Sequence, residues 1–100
     1  MTDRDRQILD VIRSLREGEV VTSGDIAADA GHPRQSRLVG RLLATTEEEL
    51  PWWRVVNSVG RLVPGNEAEQ AQLLRAEGVA VAEGRVRRAP IGRFSRPGRS

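Results

Sequence analysis

The stretch Ala30-Gly31-His32-Pro33 constrains this chain more than any other. Glycine tolerates the left-handed turn that closes a helix, and proline cannot continue one. Two short amphipathic segments abut that break. Upstream, Thr22-Ser23-Gly24-Asp25 sets a hydroxyl and an acid three residues apart, a capping box with Asp in place of Glu. Ile26, Ala27 and Ala30 then supply a small apolar face. Downstream, helical spacing runs from Arg34 to about Ala44, with Leu38, Val39, Leu42 and Leu43 on one side. Arg34, Arg37 and Arg41 share the adjacent, largely opposite side. Gly40 costs about 1 kcal/mol against alanine, which points to close packing at that position. Two helices joined this way form a helix-turn-helix, whose second member can enter a nucleic-acid groove. Such bihelical units also occur without DNA, so the pattern alone leaves the partner open.

The flanking segments follow the same punctuation. Residues 3–17 read as an amphipathic helix carrying Ile8, Leu9, Val11, Ile12 and Leu15, with Thr2 as N-cap and Gly18 just past the end. Val20-Val21-Thr22 is β-prone. Thr45 to Glu49 reads as a solvated acidic connection, since no histidine or second acid cluster stands near it for a metal site. Trp53 to Val56 suits an extended segment, Asn57 to Gly60 a turn, and Arg61-Leu62-Val63 a returning strand. A further helix starts at Asn66 and ends by Gly78, and residues 79–86 have the shape of a small hairpin. From about Arg87 the Pro, Gly, Ser and Arg content predicts disorder. The expected organisation is one domain over residues 1–86 and a basic tail over 87–100.

Composition removes several chemistries. There is no cysteine, so disulfides, thiolate metal sites and cysteine nucleophiles are excluded. His32, the single histidine, sits in a turn with no nearby partner, which favours a structural role over catalysis. Ser23 has no evident base, and capping accounts for it. No metal, cofactor or active site is expected. No apolar run approaches the roughly 18 residues of a membrane span, and the N-terminus is unlike a signal peptide. A cytoplasmic protein is expected, nucleoid-associated if bacterial. All sixteen basic residues are arginine; six fall from Arg85 onward, where there is no acid. A basic end on a mildly acidic body suits phosphate, or simply solvent.

Trp52 and Trp53 are two of only three aromatics, side by side after Pro51. Such a pair can fill a core or stack on a base that has left the duplex, a contact of about 1–3 kcal/mol. In an extended segment they would point to opposite faces, so one can be core while the other is not.

Three blocks in order carry a family resemblance: Val20 to Ala27, Arg37-Leu38-Val39-Gly40, and Pro51-Trp52-Trp53-Arg54-Val55-Val56-Asn57-Ser58-Val59-Gly60. They resemble the DNA-binding domain of O6-alkylguanine-DNA alkyltransferases over roughly residues 4–82. Trp52 stands where that family's Pro-Cys-His-Arg-Val signature has its alkyl-accepting cysteine, the mark of the alkyltransferase-like group. The resemblance implies a mainly α fold with a small β element, a winged-helix-like helix-turn-helix DNA-binding domain. It implies a monomer that is not an enzyme and recognises O6-alkylguanine in double-stranded DNA from the minor groove. It implies nucleotide flipping, and signalling of the lesion to nucleotide-excision repair proteins. The DNA contacts it implies are Ser23, Arg34, Gln35, Ser36, Arg37 and Arg41, with Arg37 as the finger inserted into the base stack. The lesion pocket it implies comprises Trp52, Trp53, Arg54 and Val55. Three positions depart from the family: Ser23 for a tyrosine, Ala44 for an asparagine and Trp53 for a histidine.

Two other readings fit the residues. A sequence-specific helix-turn-helix regulator would read base edges through the Arg34–Arg41 face, commonly as a dimer. A protein-interaction module would use the tryptophans as an apolar anchor.

Overall fold

A computed structural model describes residues 1–95. Thr2 caps the first helix, α1 (Asp3–Arg13), by accepting the Asp5 N–H at 3.0 Å. α1 ends four residues before the expected limit. Ser14 terminates it, its hydroxyl donating to the Val11 carbonyl, and Gly18 serves another purpose. At φ +83°, Gly18 lies so close to Pro90 that a Cβ would come within 3.2 Å of the ring. β1 (Glu19–Thr22) runs straight into α2 (Ser23–Asp29). The capping box forms as the sequence predicts: the Thr22 hydroxyl accepts the Asp25 N–H, and the Asp25 carboxylate accepts the Thr22 N–H. Thr22 is therefore the cap, and Ser23 is the first helical residue.

α3 spans Ser36–Thr45, so Arg34 and Gln35 precede the helix rather than belonging to its face. The His32 carbonyl accepts the Gln35 N–H, and that turn takes up the first residues after Pro33. His32 itself hydrogen-bonds Gln7 at 2.8 Å, tying the turn to α1. Gly40 is not packed against anything: a Cβ there would meet no atom within 4 Å. In the following connection Glu48 is not simply solvated. It binds Arg6 at 2.7 Å and also Arg13, and hydrogen bonding from Arg6 holds its carboxyl below the usual range.

The tryptophan stretch departs from the extended expectation. Residues Trp52–Arg54 form a 3₁₀ turn, and only Val55–Val56 form a strand, β2. β1 lies in the middle of a three-stranded parallel sheet, pairing Val21 with Val55 and Thr22 with Val56 on one side. On its other side Glu19 pairs with Ile91 and Val20 with Gly92 of β5 (Ile91–Gly92). Arg61 to Val63 is thus not a partner strand for β2; Arg61 makes one isolated antiparallel bridge, to Arg85. The outer edge of β2 is met instead by Gln70, fully buried on α4 (Glu67–Ala76). Its amide nitrogen donates to the Trp53 and Val55 carbonyls at 3.0 and 3.2 Å, and its oxygen accepts the Val63 N–H. A two-residue strand cannot recruit a second ladder, and one glutamine supplies the missing bonds.

β3 (Ala80–Ala82) and β4 (Arg85–Arg88) form the expected hairpin, turning at Glu83 and Gly84, both at positive φ. The expectation of disorder from Arg87 fails over residues 87–95. β4 continues to Arg88, Ala89 is buried, and β5 joins the main sheet. Arg93 then grips Asp25 through two hydrogen bonds, and Phe94 packs against Gly60. Local composition missed these residues because their partners lie far back along the chain. Residues 96–100 of the expected tail lie outside the described residues.

Strand alternation divides the interior in two. Val21 and Val55 join Ile8, Leu9, Ile12, Ile26 and Val39 in a core among α1, α2 and α3. Val20 and Val56 face the other way, toward Leu62, Leu74, Val79, Val86 and Ala89.

Candidate nucleic-acid interface

α3 buries Leu38 and Val39 and turns Ser36, Arg37, Gly40 and Arg41 outward. Helical periodicity stacks Arg37, Gly40, Arg41 and Ala44 on one face, since neighbours on a helix surface are three and four apart. Arg34, Arg37 and Arg41 form no ion pair among the described residues, whereas Arg6, Arg13, Arg54 and Arg93 all do. Three uncommitted guanidinium groups therefore cluster on and just before one exposed helix, ready for phosphate or base edges.

Beside that face opens a cavity of about 610 Å³. α3 contributes Gly40, Leu43 and Ala44 to one wall, and Ser23 stands at its rim from the start of α2. Trp52, Val55 and Val56 form the floor, and the segment from Asn57 through Asn66 closes the far side with Arg61 and Leu62. The volume falls within the about 300–1,000 Å³ of small-ligand sites, and the lining is mostly apolar with a few polar groups. With no Cβ and open space around it, Gly40 leaves room for something to approach α3 closely. The close packing expected at Gly40 is thus not supplied by the described residues.

The sequence-predicted residues separate into groups. Trp52, Val55 and Ser23 line the cavity. Arg34, Gln35, Ser36, Arg37 and Arg41 stand outside it, along the helix and its approach. Trp53 and Arg54 turn away from it. The Trp53 indole nitrogen donates to Glu77 at 2.8 Å, and its ring packs on the second core. Arg54 lies 5.3 Å over that ring, reaches Glu77 at 2.6 Å and donates to the Leu15 carbonyl at 2.9 Å. Both are supports behind the floor rather than lining. The two indoles still diverge, but not by strand alternation: the 3₁₀ turn sets their planes at 87° with centroids 6.2 Å apart.

Glu77 is the hub that sequence reading missed. It accepts hydrogen bonds from Gly18 N–H, Trp53 Nε1 and Arg54. Burial alone would raise its carboxyl, but hydrogen bonds from Arg54, Gly18 and Trp53 outweigh that and hold it below the usual range. No local signal marks it, because its partners come from two distant segments, at Gly18 and at Trp53-Arg54. Arg61 and Asn57 were missed too. Asn57 is the more legible of the two, since its side chain organises the turn by accepting the Val59 and Arg61 N–H groups.

The chain has no cysteine to provide a thiolate, and an indole at the cavity floor is no nucleophile. No group of three or more potential metal ligands occurs among the described residues.

Comparison with known proteins places these features in context. Residues 3–79 match the family model described as 6-O-methylguanine DNA methyltransferase, DNA binding domain. A DNA base-flipping protein of Vibrio parahaemolyticus is 43% identical over 81 residues, covering 77% of this chain and 81% of that protein. Alkyltransferase-like protein 1 of Schizosaccharomyces pombe is 32% identical, covering 75% of each. The crystal structure of S. pombe Atl1 in complex with damaged DNA containing O6-carboxymethylguanine superposes with a TM-score of 0.74. That match is 31% identical and covers 82% of both chains.

Proposed function

The chain belongs to the family of the 6-O-methylguanine DNA methyltransferase DNA-binding domain, and from that premise we propose that it recognises O6-alkylguanine in duplex DNA without repairing it. One observation carries the proposal: Trp52 floors a cavity beside an arginine-bearing helix, in a chain with no thiol. A relative of known structure binding DNA that contains O6-carboxymethylguanine supports the same reading.

The arrangement suggests a division of labour. Arg34 and Arg41, with Gln35, Ser36 and the Ser23 hydroxyl, hold phosphates on either side of the lesion. Removing a base from the stack costs a few kcal/mol, least where pairing is already weakened, as by an O6-alkyl group. Arg37 fills the vacated position, and the extruded base enters the cavity toward Trp52, where stacking contributes about 1–3 kcal/mol. Val55 forms part of the floor, while Trp53 and Arg54 keep that floor rigid through Glu77. With no acceptor for the alkyl group, the complex persists and marks the site, acting as a monomer for nucleotide-excision repair proteins to find. A sequence-specific regulator has only the helix-turn-helix in its favour.

The test is the fate of both molecules. After incubation with a duplex bearing one O6-methylguanine, the lesion should be recovered intact and the protein mass unchanged, although a complex forms. A protein heavier by one methyl group would contradict the reading.

A further inference from the structure

On the far wall of the cavity, Arg61 stands directly across an antiparallel bridge from Arg85. Two hydrogen bonds flank the bridge. The Leu62 N–H donates to the Gly84 carbonyl at 3.0 Å, and the Val86 N–H donates to the Gly60 carbonyl at 2.9 Å. Arg61 commits its own N–H to the Asn57 side chain, and its carbonyl accepts the Asn57 N–H. Arg61 and Arg85 are therefore a non-hydrogen-bonded pair, the kind that brings opposing side chains closest. Leu62 and Val86 beside them turn into the second core, so alternation turns the two arginines outward together.

Like charges set directly opposite each other in this way are destabilising. No acid relieves them. Neither guanidinium has an ion pair or a hydrogen bond among the described residues, and Glu83 near by is taken by Arg87 at 2.7 Å. The backbone beneath the pair is nonetheless fixed. Asn57 Oδ1 organises the turn that leads to Arg61, and Gly60 lies against Phe94. Two forked donors held side by side with no counter-charge suit a bound oxyanion. α3 forms the opposite wall of the cavity and carries Arg37 and Arg41 outside it. A duplex seated on α3, with one nucleotide drawn toward the cavity, brings its backbone across the mouth to Arg61.

We infer that Arg61 and Arg85 together clasp one backbone phosphate of the DNA, on the side of the cavity away from α3. This rests on duplex DNA as the ligand, as proposed above, and adds a contact out of reach of the helix-turn-helix. Arg85, on β4, lies beyond residues 3–79 that match the family model, so the C-terminal hairpin takes part in binding. The phosphate cancels a repulsion that the free protein carries.

That repulsion gives the test two readouts of opposite sign. Arg61→Gln, Arg85→Gln and the double variant are compared with wild type in thermal melts and in DNA titrations across a range of salt. Arg16→Gln, at a site that lines neither wall of the cavity, controls for the loss of one charge. The three variants should melt at or above the wild-type temperature, because removing either charge relieves the pair. Their affinity for an undamaged duplex should nevertheless fall, by about fivefold in the double variant, with its salt slope lower by about 0.9. Arg16→Gln should leave affinity and slope unchanged. An unchanged slope in the double variant, an equal drop in Arg16→Gln, or melting below wild type would overturn the phosphate clasp. The slope is read on undamaged DNA, so the two proposals fail separately: a wild type that does not prefer O6-methylguanine to guanine removes the proposed function, while the slope still decides the clasp.

Discussion

Arg37 and Glu77 represent two kinds of residue in this molecule, one uncommitted and one fully engaged. Arg37 has no ionic partner among the described residues, so its replacement should leave stability near wild type. If only the flipped state uses it, Arg37→Ala should weaken binding to an O6-methylguanine duplex about tenfold, or about 1.4 kcal/mol, and binding to undamaged DNA much less. Titrations of both duplexes decide it; equal losses would make Arg37 an ordinary phosphate contact. Glu77 is the opposite case. Its pair with Arg54 is largely buried, with side chains 11% and 14% exposed. Glu77→Gln leaves a guanidinium without its counter-charge and should cost about 3 kcal/mol in chemical denaturation. Because the folded-state carboxyl is held below its ordinary value of 4.5, the stabilisation is present above that pH. It is lost as pH falls through the folded value, so the gap between wild type and Glu77→Gln should close in acid. A gap that persists unchanged at the lowest pH would separate the effect from ionisation.

At the level of elements, the sequence signalled what local rules govern. The Thr22–Asp25 capping box, the Ala30–Pro33 break and the Glu83–Gly84 hairpin turn each depend on a few neighbouring residues, and each formed. Of the four residues that the resemblance placed in a lesion pocket, Trp52 and Val55 line the cavity and Trp53 and Arg54 do not. What stayed hidden depends on partners distant in sequence. Trp52–Arg54 coils into a 3₁₀ turn, and Gln70 on α4 satisfies the edge of the strand that follows. Gln70 is one of two glutamines on that helix, and nothing in the local sequence distinguishes it from Gln72 for that duty. The segment after Arg87 reads as disordered by composition, yet β5 pairs with β1, and Arg93 holds the first turn of α2 through Asp25. Hydrogen bonding from Arg93 also keeps the Asp25 carboxyl below its usual range. The Arg93 side chain is more than half exposed, so Arg93→Ala should cost only about 0.5 kcal/mol. Gly60→Ala should cost more, about 1–2 kcal/mol, because φ is +83° and the new Cβ would lie 3.2 Å from the Phe94 ring. Thermal melts of the two variants test that order, and a larger loss for Arg93→Ala would reverse it.

At the scale of the whole molecule, the two cores share one central strand, and the candidate interface lies where their coverings part. α3 belongs to the first core, while the Asn57–Asn66 segment is anchored to the second through Leu62. A ligand between them is therefore held by both halves of the fold. The match to the family model ends at residue 79, so the β3–β4 hairpin, β5 and the Arg93–Ser95 turn lie beyond it. Charge acts at this scale too. Phosphate contacts release counterions, and each one should contribute about 0.9 to the slope of log affinity against log salt. Arg41→Ala should lower that slope by about one and weaken damaged and undamaged duplexes alike. An unchanged slope would remove Arg41 from the phosphate contacts.

The central claim is that the molecule distinguishes one O6-alkylguanine from guanine within an otherwise identical duplex. The most direct measurement is the ratio of the two Kd values at a single salt concentration. At least tenfold tighter binding to the O6-methylguanine duplex is expected. Equal Kd values would contradict it.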